Sequence, residues 1–190
     1  MTGGGVKLRQ QSEEIFIAEE PIVRLGDEQI AFLKRQAQAS PRRRARICAH
    51  KSNDDALHEM LIAISADSYI HPHKHLGKSE SFHIVEGDVD VAVFDDAGAV
   101  ADVIELGPPG SGRQFFYRLD HGAFHTLLIR TPFLIVHEVT NGPFARDRTV
   151  MAPFAPPEQD AGAAQAYMRR VEEQVTQFRA ARGSTAGARP

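Results

Sequence analysis

The sequence is poor in cysteine. It has one, Cys48, in 190 residues. An internal disulfide framework and a multi-cysteine zinc site are both excluded. Tryptophan is absent. There is no excess of basic charge: 22 Lys and Arg stand against 25 Asp and Glu, a formal net charge of −3. A nucleic-acid-binding domain would be strongly basic. No apolar run approaches the roughly 18 residues of a membrane span. The opening segment MTGGGVKLRQQSEE lacks the apolar core of a secretory signal. A cytoplasmic protein is the expectation.

What is present is an ordinary globular composition, 42% hydrophobic and 25% charged, with nine histidines. The chain divides into three zones, at 1–41, 42–157 and 158–190. In the first, Met1 to Gly5 reads as a loose glycine-rich start. Ile15 to Val23 reads as an outer strand confined to an edge by Pro21. Asp27 to Ala39 reads as a helix, capped by Asp27, with Ile30, Leu33 and Ala37 on one face.

The middle zone is a procession of short strands: RARICAH, LHEMLIAIS, ESFHIVEG, DVDVAVFDD, AVADVIELG, RQFFYRL, AFHTLLIRT and FLIVHEVT, each bounded by Gly, Pro or Asp. Asp95 to Gly98 predicts a hairpin turn. Strands without intervening helices imply a sandwich or barrel. In the last zone the prolines at 153–157 leave the sheet, and Ala161 to Arg182 reads as a helix stopped by Gly183. Tyr167, Val171, Val175 and Phe178 form one apolar stripe. It serves either to dock the helix on its own barrel or to join two copies in a homodimer. The tail beyond reads as disordered.

His73 and His75 lie two apart, so on a strand both point to one side. Glu80 follows after four residues, enough for a turn into the next antiparallel strand. Its carboxylate then returns beside the imidazoles. Gly87 stands where the next hairpin must reverse.

This spacing, H-x-H-x4-E-x6-G, resembles the first motif of the cupin superfamily. Gly122-Ala-Phe-His125 resembles the second motif, although Asp120 replaces its usual proline and Ile129 its usual asparagine. The resemblance implies an all-β, jelly-roll barrel, here with an N-terminal helix-containing arm and a C-terminal helix. It also implies one divalent transition metal on His73, His75, Glu80 and His125. Such N and O donors suit Fe(II), Mn(II), Ni(II), Zn(II) or Co(II). An octahedral ion would keep two open positions and a tetrahedral one none. Polar loop histidines would be the plainer account, but four ligands at the family's spacing weigh against it.

Of the other histidines, His71 shares parity with His73 and could line the mouth. His121 precedes the second-motif glycine and could support a ligand from outside. His83 should point away from the site. His58 and His137 fall within strand patterns, as core or surface residues.

RRRARICAH, HEMLIAI, YIHPHKHLGKSESFHIVEG, VFDDAG, FHTLL, HEVTNGPF and APFAP in this order look like the WbuC family of cupin-fold metalloproteins, over roughly residues 40 to 157. Phe124 and Phe154 stand where that family would carry tryptophan. Its members are found in bacterial O-antigen and surface-polysaccharide gene clusters. The resemblance implies a carbohydrate or sugar-nucleotide substrate and a metal acting as Lewis acid in isomerisation or epimerisation. A non-catalytic sugar-binding cupin with a structural ion and an Fe(II) oxygenase are the alternatives. No acid/base pair can be picked from the sequence.

In RRRARICAH, alternation puts Arg42, Arg44, Arg46, Cys48 and His50 on one face and Arg43, Ala45, Ile47 and Ala49 on the other. The apolar strip can pack under a helix, which turns Arg44, Arg46 and His50 into the barrel. Buried arginines need partners. Glu59, Glu86 or Glu138 would make them structural, and an anionic small-molecule ligand would make them substrate-binding. Cys48 reads as a small core residue rather than a nucleophile.

Overall fold

Two alternations meet on the strand Arg44–Cys48. Its odd positions, Ala45 and Ile47, are fully buried against Leu33 and Ala37 of the helix Asp27–Ala39 (α1). Its even positions face the other way, into the space between two sheets. The computed structural model describes residues 6–120 and 122–186, with the side chains of 183–186 left out. Met1 to Gly5, His121 and the tail from residue 187 lie outside the described residues, and so do the expectations placed on them.

Among the described residues twelve strands form the sandwich. They are β1 (Leu8–Gln10), β2 (Ile15–Ala18), β3 (Arg44–Cys48), β4 (Leu57–Ser65), β5 (His73–His75), β6 (Glu80–Glu86), β7 (Val89–Phe94), β8 (Val100–Leu106), β9 (Phe116–Leu119), β10 (Phe124–Ile129), β11 (Phe133–Asn141) and β12 (Thr149–Met151). One sheet has the order β1-β2-β3-β4-β11-β6-β9 and the other β12-β5-β10-β7-β8. This is a double-sheet jelly roll with a helix added at each end of the chain. The N-terminal arm extends the first sheet, since β2 pairs parallel with β3. Pro21 falls beyond the end of β2, where it interrupts no ladder.

The helix α1 is capped by Gly26, not by Asp27. Asp27 is the first helical residue, and Gln29 Oε1 accepts the Gly26 N–H at 2.9 Å. The second helix, α2, runs over Ala161–Ala186 and so continues past Gly183. A single glycine in a helix costs only about 1 kcal/mol against alanine, too little to end one by itself. Tyr167, Val171 and Val175 are buried against Ala92, Phe94, Phe124 and Leu128 of the second sheet, so the stripe docks on its own sandwich. Arg179 and Arg130 reinforce that seat at the fully buried Asp90, with Nη2–Oδ2 2.8 Å and Nε–Oδ2 2.6 Å.

Two sheet faces enclose the main core, from Met60, Ile62 and Ile64 to Leu134, Val136, Ile84, Val91 and Leu127. Gly87 reverses the chain between β6 and β7 at φ +85°, and a Cβ there would lie 2.2 Å from Phe133 O. Only glycine fits. Asp95 N–H bonds Ala99 O and Gly98 N–H bonds Asp95 O, which closes the β7–β8 hairpin.

Candidate metal centre

The histidines come from the second sheet. β5 is three residues long, held between β10 and β12, and its register sets His73 opposite His125. Glu80 comes from the first sheet, as the opening residue of β6. The centre therefore bridges the sandwich. The ligand atoms of His73, His75, Glu80 and His125 all lie within 4.8 Å of one another.

Each ring is turned by its outer nitrogen. His73 Nδ1–H donates to His71 O at 2.9 Å, and His125 Nδ1–H donates to Ala123 O at 3.0 Å. A carbonyl only accepts, so both Nε2 atoms carry lone pairs toward the centre. His75 Nδ1 lies 3.3 Å from Thr149 Oγ1, and its Nε2 lies 3.2 Å from Glu80 Oε2. Glu80 Oε1 accepts a 2.7 Å bond from Tyr117 Oη and lies 3.6 Å from His125 Nε2. Three imidazole lone pairs and a carboxylate, each backed by an outer hydrogen-bond partner, fit a divalent transition metal.

Electrostatics say the same. Burial and the neighbouring His125 push His73 down to about 4, so it is a neutral ligand at neutral pH. Burial opposes ionisation of Glu80, but the bonds from His125 and His75 outweigh it and hold the carboxyl well below its ordinary range. His125 is raised in turn, because the Glu80 bond outweighs its burial.

One cross-strand row beside the ligands sets a carboxyl among core residues. Cys48, Met60, Glu138, Phe82 and Tyr117 are successive register partners over β3, β4, β11, β6 and β9. The adjacent row holds His58, Thr140, Glu80 and Leu119. Glu138 thus sits one row from Glu80 on the same inward face. Its carboxyl makes no hydrogen bond or ion pair among the described residues, though the Arg46 charge acts on it. Burial first, and then the charge of Glu80, raises its carboxyl to about 8. Tyr117 is raised well above its ordinary value by the same two causes. The strand FLIVHEVT gave the parity of Glu138, but nothing local showed which strand would face it.

His71 lends the centre its carbonyl. Its own ring Nε2 lies 3.2 Å from Ala152 O. His50 stacks on His58 at 4.1 Å and 6°, and its Nδ1 accepts the Glu59 N–H, so it is anchored at the β3–β4 end of the interior. Arg44 pairs with Glu158 at 3.0 Å and lies 4.0 Å from Glu14. None of the carboxylates expected for it takes that place, because Glu86 bonds Lys34 and Glu59 reaches His137. Among the described residues the side chain of Arg46 makes one hydrogen bond, from Nη1 to Met60 Sδ at 3.7 Å, and no ion pair. Burial raises the Cys48 thiol to about 11, which suits a core residue and not a nucleophile. His83 is exposed.

A family described as a domain of unknown function (DUF6016) matches residues 25–106, less than half of the chain. No curated protein matches the sequence. Among solved structures, protein SO0799 from Shewanella oneidensis is similar at 11% identity and a TM-score of 0.46, over 57% of this chain and 72% of that one. Oxalate decarboxylase from Bacillus subtilis is similar at 15% identity and 0.41, over 52% of this chain and only 24% of the decarboxylase. The Cnp3 cupin domain from Schizosaccharomyces pombe is similar at 13% and 0.40, over 52% of this chain and 64% of that domain. Among the described residues no helix is long and apolar enough to cross a membrane. The chain has a two-sheet jelly roll of its own, with a His73, His75, Glu80 and His125 cluster between the sheets that can hold a metal ion and whose spacing resembles the cupin motif.

Proposed function

We propose that the protein is a mononuclear metal-dependent enzyme that isomerises or epimerises a carbohydrate or sugar nucleotide of surface-polysaccharide metabolism in the cytoplasm. The sequence resemblance to the WbuC family supports the substrate class. The observation that supports catalysis is Glu138, an inward carboxyl one row from Glu80 that has no hydrogen-bond or ion-pair partner among the described residues. A divalent ion on the four ligands supplies Lewis acidity, polarising a carbonyl or holding vicinal oxygens.

The chain's own residues do the rest. Glu138 takes or gives the proton at the carbon beside the polarised group. Its carboxyl is raised toward neutrality, where a group works equally well as acid and as base. Tyr117 holds Glu80 in place through Oε1. Met60, Phe82 and Ile84 wall the interior with apolar surface and keep bulk water from the proton.

The test is hydrogen exchange from solvent deuterium into a panel of sugar nucleotides and free sugars, followed by mass spectrometry. The expected result is exchange at one carbon, lost by about 10²–10⁴-fold in Glu138→Gln with metal content unchanged. Stoichiometric metal and sugar binding with no exchange would favour the non-catalytic sugar-binding alternative. Turnover that needs dioxygen would favour the oxygenase.

A further inference from the structure

The short turn between β5 and β6 carries a metal ligand at each end, His75 before it and Glu80 after it. Its own ends are fastened. Leu76 N–H donates to Arg148 O at 2.8 Å, and Ser79 N–H donates to Asn141 Oδ1 at 2.9 Å. Its middle is open. Gly77 takes a left-handed φ of +64°, and a Cβ there would meet nothing within 4 Å. Among the described residues the N–H groups of Gly77 and Lys78 have no acceptor. Successive N–H groups beside a left-handed residue form a concavity that suits an anion.

Three cations stand around this turn. Lys78 belongs to it and lies over the Phe144 ring, 5.8 Å from the centroid. Arg118 Nη2 donates to Ser79 Oγ at 3.1 Å. Arg148 is tied to the turn through its carbonyl, and its charge acts on Lys78, whose ammonium is lowered first by partial burial and then by that charge. Among the described residues no carboxylate oxygen lies within 4.0 Å of any of the three, whereas Lys74 on the preceding strand is matched by Asp96 at 3.2 Å. Asp147, beside Arg148 in the chain, is exposed and makes no ion pair among the described residues. Like charges gathered without a counter-ion repel, and a bound anion relieves that repulsion.

The metal centre opens on the same side. The His75 side chain is 19% exposed, against 4% for Glu80 and 2% for His125. At no more than about 3.6 Å per residue, the Lys78 Cα lies within about 7 Å of the Glu80 Cα and about 11 Å of the His75 Cα. A small ligand anchored at the turn therefore reaches the centre.

We propose that the turn Leu76–Ser79, with Lys78 and Arg148, binds the phosphate of a phosphorylated sugar whose hydroxyl groups lie at the metal centre. This rests on the metal-dependent carbohydrate reading above and narrows its substrate to sugars that bear a phosphate. A phosphate monoester brings nearly two negative charges and three acceptor oxygens, enough for two cations and two N–H groups. A carboxylate brings one charge and two oxygens. Arg118 adds charge from the outer face and makes no direct contact.

The experiment is calorimetric titration of the purified, metal-analysed protein with D-glucose 6-phosphate, D-glucose, D-glucuronate and inorganic phosphate. The sugar phosphate should bind about tenfold or more tightly than glucose, and more tightly than glucuronate or inorganic phosphate. The double variant Lys78→Gln with Arg148→Gln should erase the preference over glucose while it keeps its metal and a cooperative melt. Arg118→Gln should weaken the preference only in part, and Lys34→Gln, a cation paired with Glu86 away from the turn, should leave it intact. Equal affinity for glucose and its phosphate, no detectable binding of the phosphate, or a preference intact in the double variant overturns the inference. Glucuronate binding as tightly overturns the phosphate class, and inorganic phosphate binding as tightly overturns the sugar phosphate as the ligand. The metal-dependent reading fails separately. Protein that purifies without metal yet shows the Lys78- and Arg148-dependent preference keeps the phosphate site and loses that function. Metal-loaded protein that exchanges hydrogen on neutral sugars with no preference for the phosphate keeps the function and loses the site.

Discussion

Tyr117 Oη donates a 2.7 Å hydrogen bond to Glu80 Oε1, and both groups are buried between the sheets. This bond turns the carboxylate of the first sheet toward the three imidazoles of the second. Tyr117→Phe removes the bond and keeps the ring that packs edge-on against Phe82. The fold should persist, and metal affinity should fall about 10–100-fold. Competition with a chromophoric chelator measures it. Unchanged affinity would show that Glu80 needs no such support.

His73 and His75 supply two of the four donors. Elemental analysis of protein purified without a histidine tag should show close to one divalent transition metal per chain. Replacing both histidines with alanine should abolish it. Full retention in that double variant would remove the metal assignment.

The metal centre lies beside an apolar core that does not depend on it. Chelation should therefore remove the metal, and with it the exchange activity proposed above, while a cooperative thermal transition remains. Collapse of the fold on chelation would make the ion structural.

Asp90 is fully buried, and Arg113, Arg130 and Arg179 converge on it. Burial works against its ionisation, but the arginine bonds prevail and lower its pKa from the ordinary 3.8. A carboxyl depressed in the folded state gives stability that is complete above the unfolded value. That stability is lost as pH falls from about 4 through the folded value. Thermal melts below pH 4 should show the loss, and Asp90→Asn should flatten it. The substitution should also cost about 3–5 kcal/mol at neutral pH, as expected for a broken buried ion network, with α2 loosening first.

At Gly87 a side chain meets both a left-handed backbone and the Phe133 carbonyl. Gly87→Ala should destabilise by more than the roughly 1–2 kcal/mol of the backbone conformation alone. Denaturant unfolding reads the difference, and a loss below 1 kcal/mol would mean that the hairpin shifts freely.

The sequence by itself determined what depends on near neighbours. Period-two alternation marked the long strands, and parity sent Ala45 and Ile47 under α1 and Arg44 and Arg46 inward. The spacing of His73, His75 and Glu80 placed three donors on two adjoining strands, because a short turn leaves them little choice. The three-residue strands β1 and β12 gave no periodic signal, being too short for one. Tertiary structure alone decided the partners. Glu158 stands 114 residues from the Arg44 it neutralises, and Tyr117 stands 37 from Glu80. Glu138 owes its position beside the metal ligands to the strand order β4-β11-β6. Alternation tells a side chain which face it is on. Which residues share that face depends on how strands distant in the chain come to lie side by side, and that is settled by burial of the whole core rather than by local spacing.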